Sequence, residues 1–259
     1  MSAAPTLASP PGGGGRRVAV ITGASSGIGA ATASALAGAG YELVLGARRA
    51  DRLRTVAEPL GARALPLDVT DTASVAAFAA AIPRADVLVA NAGKALGTDR
   101  IEETREELWQ TMWQTNVIGV LRTVRAMLPK LEAGGDGLVV VIGSIAGFET
   151  YRGGAGYTAS KHALRAFTRT LRLELLGRPV RVTEIDPGLV ETEFSLVRFA
   201  GDGQRAKKVY DGMQPLTAGD IAECVRWVCS LPAHVDVDEL VIRPRDQATA
   251  TEVHRRPPP

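Results

Sequence analysis

A tyrosine and a lysine four residues apart are the side chains of this chain whose types and spacing best suit proton transfer. They are Tyr157 and Lys161, and Ser144 lies thirteen residues before the tyrosine. On a helix, residues four apart share one face, with Cβ atoms about 5–6 Å apart. A free phenol has a pKa of roughly 10, and a nearby ammonium favours the phenolate. The pair predicts a general acid/base with a pKa shifted toward neutrality, although the same spacing also arises by chance on helical surfaces.

A glycine-rich turn separates the first apolar run, residues 18–22, from a helical pattern. A helix N-terminus offers free N–H groups and the positive end of a dipole, which suit a pyrophosphate. Glycine alone is weak evidence, because strand-to-helix turns favour it anyway. The order of strand, glycine turn and helix near the start of the chain nevertheless predicts a dinucleotide site. Its candidate residues are Gly23, Ser25, Ser26, Gly27, Ile28 and Gly29.

Two arginines, Arg48 and Arg49, follow the second apolar run. A site that prefers a free ribose 2′-hydroxyl usually has an acidic residue near this point, where this chain has Ala47. The planar fork of arginine suits a phosphate. The sequence therefore predicts NADP(H) rather than NAD(H). The alternative is that both arginines only begin a solvated helix.

Apolar, β-branched runs alternate with amphipathic or alanine-rich segments along most of the chain. The runs are residues 18–22, 42–46, 64–68, 87–90, 138–143, 180–185 and 239–242. Such alternation predicts an α/β fold, in which a single doubly wound Rossmann-type domain has a seven-stranded parallel sheet with helices on both faces. We expect this domain to span residues 17–246, between an N-terminal tail, 1–16, and a C-terminal tail, 247–259.

The composition excludes several classes of function. The 259 residues carry a net charge of +2, so nucleic acid and anionic membranes are poor candidates as partners. No apolar run reaches the roughly 18–20 residues of a membrane span, and no signal sequence is apparent, so we expect a cytoplasmic protein. Cys224 and Cys229 do not combine with other side chains into a metal site, and we expect none.

Taken together, these motifs resemble those of the short-chain dehydrogenase/reductase family, in its short single-domain branch. The resemblance covers about residues 17–246. It rests on Thr22-Gly-x-x-x-Gly27-Ile28-Gly29, Asp68-Val69, Asn91-Ala92-Gly93, Asn116, Ser144, Tyr157-x-x-x-Lys161 and Pro187-Gly188 leading to Thr192. The C-terminal sequence 239–247 resembles the NADP-dependent subgroup that includes serine 3-dehydrogenase, 3-hydroxy acid dehydrogenases and clavulanic acid dehydrogenase.

The resemblance implies a role for each matching residue. Tyr157 would exchange a proton with the substrate oxygen, and Lys161 would lower the tyrosine pKa and hold the nicotinamide ribose. Ser144 would hydrogen-bond the substrate oxygen, and Asn116 would position a water molecule beside Lys161. The residues implied in cofactor binding are Asp68 and Val69 at the adenine, Asn91, Ala92 and Gly93 at the adenosine ribose, and Pro187, Gly188, Val190 and Thr192 at the nicotinamide.

Two stretches beside the expected nicotinamide, residues 148–156 and 193–210, could line the substrate site or form a lid. Their candidate substrate residues are Phe148, Tyr151, Arg152, Phe194 and Arg198. Either Arg152 or Arg198 could bind a substrate carboxylate, and either could equally form a surface salt bridge.

The predicted function is an NADP(H)-dependent oxidoreductase that transfers a hydride between nicotinamide and a carbonyl or alcohol of a small molecule. One alternative is a non-catalytic NADP(H)-binding redox sensor on the same fold. Another is an epimerase or dehydratase, although such enzymes usually need a longer C-terminal substrate region. The resemblance also implies a homodimer or homotetramer.

Overall fold

The apolar runs of the sequence form the strands of one parallel sheet. The computed structural model describes residues 15–257, so residues 1–14 of the predicted N-terminal tail and residues 258–259 lie outside the described residues. The strands of the sheet are β1 Val18–Thr22, β2 Glu42–Ala47, β3 Arg63–Pro66, β4 Val87–Ala90, β5 Gly137–Ile142, β6 Val180–Pro187 and β9 Glu239–Ile242. Two short strands, β7 Val190–Glu191 and β8 Leu216–Thr217, form a separate parallel ribbon.

The sheet has the strand order β3-β2-β1-β4-β5-β6-β9, and each neighbouring pair is parallel. Parallel neighbours need crossover connections, which helices on the two faces provide. The prediction of a doubly wound, seven-stranded parallel sheet is confirmed. The strand order reverses direction between β1 and β4, so the connections after these two strands run to opposite sides and leave a crevice at the carboxyl ends. Doubly wound α/β folds bind ligands in this crevice.

Nine α-helices accompany the strands within residues 15–257. They are α1 Gly27–Gly38, α2 Ala50–Ala57, α3 Thr72–Ala80, α4 Glu106–Trp113, α5 Gly119–Ala133, α6 Ala155–Glu174, α7 Glu193–Arg198, α8 Gly203–Lys208 and α9 Ala218–Cys229. The amino-acid pattern over residues 102–132 is that of one long helix, but a π-helical turn, Gln114–Ile118, separates α4 from α5. No described helix is long and apolar enough to cross a membrane.

Alternate residues of each central strand enter one of two apolar cores. Val20 of β1 packs in the core beside α3, α5 and α6, whereas Ala19 and Ile21 pack in the core beside α1 and α9. All three side chains are fully buried. This two-sided burial explains why the strands are continuous apolar runs rather than alternating ones. The cores fix the strand ends from which the functional loops emerge.

The chain from residue 247 to residue 257 returns to the domain, although the sequence predicts a tail there. Gln247 pairs with Val253 in an antiparallel bridge, and Arg256 N–H donates to the Gly212 carbonyl at 2.7 Å. The Arg255 guanidinium donates to the carbonyls of Val209, at 3.0 Å, and Asp211. Polar composition alone does not reveal these contacts, because they depend on backbone carbonyls about 45 residues away in the sequence.

Candidate active site

A cavity of about 820 Å³ opens at the carboxyl ends of the strands, beside the crevice between β1 and β4. Most residues of the predicted cofactor site line it. They are Gly23, Ser25, Ser26, Gly27, Ile28, Arg48, Arg49, Asp68, Val69, Asn91, Ala92, Gly93, Pro187, Gly188, Val190 and Thr192, with Ser144, Tyr157 and Lys161 at the same cavity. The fold therefore brings into one place residues that are up to about 170 positions apart in the sequence.

The glycine turn is closely packed against the end of β4. A Cβ on Gly29 would lie 2.6 Å from Asn91 Nδ2, so this glycine faces Asn91 rather than the cavity. The same Nδ2 donates to the Thr22 carbonyl at 2.9 Å, which joins β4 to the glycine turn. Gly27, at φ +55°, faces the opposite way, and a Cβ there would project to 3.5 Å from Thr192 Cβ. The turn thus leaves a narrow space that suits a phosphate approaching a helix N-terminus.

The two arginines after β2 differ in their contacts. Arg49 Nη1 lies 3.0 Å from Glu193 Oε2, and its other nitrogens donate to the hydroxyls of Ser25, at 3.3 Å, and Ser26, at 2.6 Å. Glu193 begins α7 and also pairs with Arg52 at 2.7 Å. Arg48 is exposed at the cavity and has no carboxylate partner within residues 15–257. Arg48 is therefore the arginine best placed to receive an added phosphate.

The tyrosine and lysine of the sequence motif lie together on α6. Tyr157 is 9% exposed and Lys161 is 6% exposed. Lys161 Nζ lies 6.0 Å from the Tyr157 ring centroid and donates to the Ile142 carbonyl at 2.8 Å. Ser144 follows β5, and its backbone N–H donates to Asp186 Oδ1 at 2.7 Å. The arrangement puts a phenol, an ammonium and a hydroxyl at one end of the cavity.

Asn116 lies in the π-helical turn between α4 and α5, and such turns are frequent at functional sites. Its side chain does not line the cavity. Asn116 Nδ2 donates to the Lys94 carbonyl at 2.9 Å and to Ser160 Oγ at 3.0 Å, and its Oδ1 accepts from Lys94 N–H at 2.9 Å. These bonds hold the loop after β4 against α6.

The predicted substrate residues fall into two groups. Tyr151, Arg152, Phe194 and Arg198 line the cavity. The Phe194 ring contacts the Tyr157 ring edge-on, with centroids 5.6 Å apart. Phe148 was predicted as a substrate residue, but the structure does not place it at the cavity. The guanidinium carbons of Arg165 and Arg243 lie 4.7 and 5.7 Å from its ring centroid, so the Phe148 ring makes cation–π contacts away from the cavity.

Arg198 extends from the end of α7 toward the phenol. Its guanidinium carbon lies 5.3 Å from the Tyr151 ring centroid and 6.0 Å from that of Tyr157. Its Nε donates to the Gly97 carbonyl at 3.3 Å. No carboxylate of the described chain pairs with Arg198. A cation that no carboxylate of the described chain neutralises thus lies beside the Tyr157 ring at the cavity.

Comparison with known proteins agrees with this geometry. The family model for short chain dehydrogenases matches residues 17–201. The chain belongs to this family. It is 58% identical over 236 residues to an uncharacterised oxidoreductase of Mycobacterium tuberculosis (91% of this chain and 94% of the relative), and 43% identical over 237 residues to sulfoacetaldehyde reductase of Chromohalobacter salexigens (88% and 94%). It superimposes on the closed form of serine dehydrogenase complexed with NADP+ with a TM-score of 0.88, at 39% identity, covering 92% of this chain and 100% of the other.

Burial dominates the electrostatics of this short-chain dehydrogenase. It raises the pKa of Tyr157, Tyr151 adds to the rise, and the Ser144 hydroxyl and Arg198 guanidinium oppose it. Burial also lowers the pKa of Lys161 to about 8, although nearby carboxylates raise it in part. Lys161 is not among the groups that act on the pKa of Tyr157 here, so the expected shift of this phenol toward neutrality stays a prediction.

Several residues at the site of this dehydrogenase were missed from the sequence. Gln247 Oε1 accepts from Leu189 N–H at 2.8 Å, and Gln247 and Arg255 both line the cavity. Glu184 and Asp186 are buried on β6 behind Ser144. These two acids had a visible signal, since they interrupt a run that is otherwise typical of a buried strand. Gln247 ends the C-terminal motif 239–247, which gave no sign of a place at the cavity, and Arg255 had no signal at all. No group of His, Cys, Asp and Glu in residues 15–257 is arranged to hold a metal ion.

Proposed function

We propose that the chain is an NADP(H)-dependent oxidoreductase acting on a small alcohol or carbonyl compound that carries an anionic group. The observation that carries this proposal is Arg198, a cation without a carboxylate partner in residues 15–257, 6.0 Å from the Tyr157 ring centroid. A guanidinium binds carboxylate or sulfonate oxygens through paired N–H groups. The anionic group would therefore lie opposite the phenol that serves the reacting oxygen.

The cofactor part of the proposal rests on the glycine turn and Arg48. The turn leaves space at Gly27 where a Cβ would project toward Thr192, and Arg48 is exposed at the adenosine end of the cavity without a carboxylate partner in the described chain. A 2′-phosphate fits this free guanidinium. When bound, NADP(H) would supply the hydride acceptor or donor. Asp68, Val69 and the β4 loop would hold the adenosine end.

Four side chains would carry the proton chemistry. Tyr157 would give a proton to the substrate oxygen during reduction and take it back during oxidation. The Ser144 hydroxyl would hydrogen-bond the same oxygen. Lys161 would hold the ribose and stabilise negative charge at the phenol. Asn116, through its bonds to Lys94 and Ser160, would fix the loop and helix that these groups share.

The names of two similar proteins support an anionic substrate. In serine and in sulfoacetaldehyde, one carbon atom separates the acid group from the carbon that bears the hydroxyl or carbonyl oxygen. That spacing would let one end of a small molecule meet Arg198 while the other meets Tyr157 and Ser144. The neighbouring rings of Tyr151 and Phe194 would exclude water from the space between.

The test is NADPH oxidation against matched substrate pairs. One member of each pair is an anionic carbonyl compound, such as a 3-oxo acid or sulfoacetaldehyde, and the other is its neutral amide or ester. We expect kcat/KM to favour the anionic member at least tenfold, and Tyr157→Phe to abolish turnover while NADPH still binds. Equal rates on both members would contradict the anionic preference. Tight NADPH binding without turnover on any pair would favour the redox-sensor alternative.

Self-association stays a prediction of the family resemblance. Several large apolar side chains on α4, α5 and α6 are exposed in the single chain, namely Trp113, Leu121 and Leu173. Exposed apolar surface of this kind is typical of contacts between subunits. Light scattering of the purified protein would distinguish a dimer or tetramer from a monomer.

A further inference from the structure

Two acidic side chains lie buried on the strand that packs against α6. Glu184 and Asp186 occupy alternate positions of β6, and so share one face, and they are 1% and 0% exposed. Asp186 Oδ1 accepts the Ser144 N–H at 2.7 Å. Asp186 Oδ2 and both carboxylate oxygens of Glu184 accept no hydrogen bond of good geometry within residues 15–257, since the nearby Thr168 hydroxyl donates to the Leu164 carbonyl at 3.0 Å. Burying a carboxylate costs free energy unless a charge or a donor compensates it, so the placement calls for a physical reason.

The two carboxyl groups face the same small space beside Gly143. A Cβ on Gly143 would overlap Asp186 Oδ1 and would lie 2.6 Å from Glu184 Oε1. Two carboxyl groups this close in a buried site resist double ionisation, so the second of them ionises only at a raised pH. Burial and the mutual proximity of the two groups raise the pKa of Glu184, in agreement with this geometry. Above these raised pKa values, about 7 for Glu184 and about 6 for Asp186, both groups are ionised, so each single variant removes one negative charge on the alkaline side.

Among the charged groups around Glu184 and Asp186, Lys161 is the cation that has no other carboxylate partner in the described chain. From α6, Lys161 and Arg165 face β6, and from β9 Glu239 does so. Arg165 is already paired with Glu239, at 2.6 Å, and Arg169 pairs with the same carboxylate at 2.8 Å. Lys161 has no such partner in the described chain, and its Nζ donates at 2.8 Å to the carbonyl of Ile142, the residue before Gly143, beside which the two carboxyl groups lie. Its ammonium is thus the cation that the shared charge of the pair can compensate.

We propose that Glu184 and Asp186 are positioning residues for the reaction, a buried carboxyl pair that supplies the counter-charge of Lys161 and fixes the turn that carries Ser144. This inference rests on the proposed function, since it assumes that Tyr157 and Lys161 act on the substrate proton. Neither carboxyl group lines the cavity. It acts by keeping Lys161 protonated and the Ser144 backbone in place.

Glu184→Gln and Asp186→Asn test the proposal, because each keeps the side-chain shape and removes one carboxyl. In Asp186→Asn, the amide oxygen can still accept the Ser144 N–H. We expect the alkaline limb of the pH profile of kcat, in carbonyl reduction, to move to lower pH by about one unit, because loss of negative charge favours neutral Lys161 and ionised Tyr157. Glu184→Gln leaves the Ser144 contact untouched and keeps the test open if Asp186→Asn does not fold.

Asp236→Asn is the matched control. The Asp236 carboxylate accepts a hydrogen bond at 3.2 Å from the backbone N–H of Val182, which lies on β6 like Glu184 and Asp186. Asp236 does not face Lys161. We expect its pH profile to coincide with that of the wild type. If the variants of the pair lose rate or thermal stability while their pH limb stays at the wild-type position, the role is only structural and the proposal is overturned.

A second measurement does not need turnover. In Lys161→Met, carbon NMR of labelled carboxyl groups, assigned with the two single variants, should show Glu184 and Asp186 titrating at higher pH than in the wild type, because the counter-charge is reciprocal. Unchanged titration would overturn the proposed coupling. If the wild type reduces none of the substrate pairs, the proposed function has failed. The NMR titration still tests the coupling between Lys161 and the carboxyl pair, because it does not depend on turnover.

Discussion

The guanidinium carbon of Arg198 lies 6.0 Å from the ring centroid of Tyr157. The same guanidinium lowers the pKa of the phenol against the larger effect of burial. Because Arg198 is on α7, which follows the Thr192 cap, its position depends on a short helix rather than on the sheet. The proposed substrate contact therefore reaches the proposed proton donor from a separate short helix, whereas Tyr157 lies on α6.

Replacing Arg198 with alanine should selectively impair anionic substrates. Loss of a charge-assisted contact costs about 2 kcal/mol, or roughly 30-fold in kcat/KM, whereas the neutral analogues should change far less. The measurement is the ratio of kcat/KM for each substrate pair in variant and wild type. Arg152→Ala is the control, since Arg152 also lines the cavity. If Arg152→Ala lowered the ratio and Arg198→Ala did not, the assignment would move to Arg152.

Arg48 and Arg49 should contribute unequally to nucleotide preference. We expect Arg48→Ala to raise the KM for NADPH about tenfold with little effect on NADH, because a phosphate contact is lost. Arg49→Ala should have a smaller effect, since Glu193 already pairs with Arg49. Glu193→Gln should lower the KM for NADPH by freeing that guanidinium. A wild type that uses NADH as well as NADPH would contradict the assignment of Arg48.

Removal of residues 247–259 should change substrate binding more than nucleotide binding. This segment closes part of the cavity, and Arg255 holds the chain near Val209 through a hydrogen bond of 3.0 Å. We expect a raised KM for the substrate and a lower melting temperature, with NADPH affinity retained. Deleting only residues 257–259 spares Arg255 and should leave all three unchanged. A truncated enzyme with wild-type substrate KM would show that the segment does not form the site.

The buried carboxyl of Glu184 should make folding stability depend on pH. Burial and Asp186 raise its pKa to about 7. A group whose pKa is raised on folding contributes stability that is complete below its unfolded pKa, about 4.3, and is lost as the pH rises through the folded value. Denaturant titrations measure the free energy of unfolding of Glu184→Gln relative to that of the wild type. Between about pH 5 and about pH 8 this difference should rise in favour of the variant by on the order of 2 kcal/mol. A constant difference between the two proteins would contradict the raised pKa.

Gly143→Ala should destabilise the protein and suppress turnover, because the added methyl group overlaps the Asp186 carboxylate. The displaced carboxylate would release the Ser144 N–H, and such overpacking typically costs about 1–3 kcal/mol. Gly38→Ala is the matched control, since Gly38 ends α1 with open space around it. That substitution should be neutral or stabilising by up to about 1 kcal/mol. Thermal unfolding and kcat report both outcomes. A Gly143→Ala protein with wild-type kcat would show that the turn tolerates displacement.

Much of the fold could be predicted because its signals are local. The bounds predicted for three strands coincide with β1, β4 and β9, since each strand is a short apolar run between polar turns. The glycine turn was recognised for the same reason, because strand, turn and helix are consecutive in sequence. The break between α4 and α5 was missed, since a π-helical turn changes the hydrogen-bond spacing by one residue and leaves the helical pattern intact.

The amino-acid sequence by itself determined the family, the order of strands and helices, and the side chains able to move a proton. Tertiary structure alone decided that Phe148 packs away from the cavity, that Arg198 faces Tyr157, and that residues 247–257 close the site. The physical reason is the distance along the chain over which each kind of interaction acts. Periodicity and turn chemistry act over a few residues, whereas the pairing of a buried charge or the wall of a cavity depends on groups that meet only after the chain has folded.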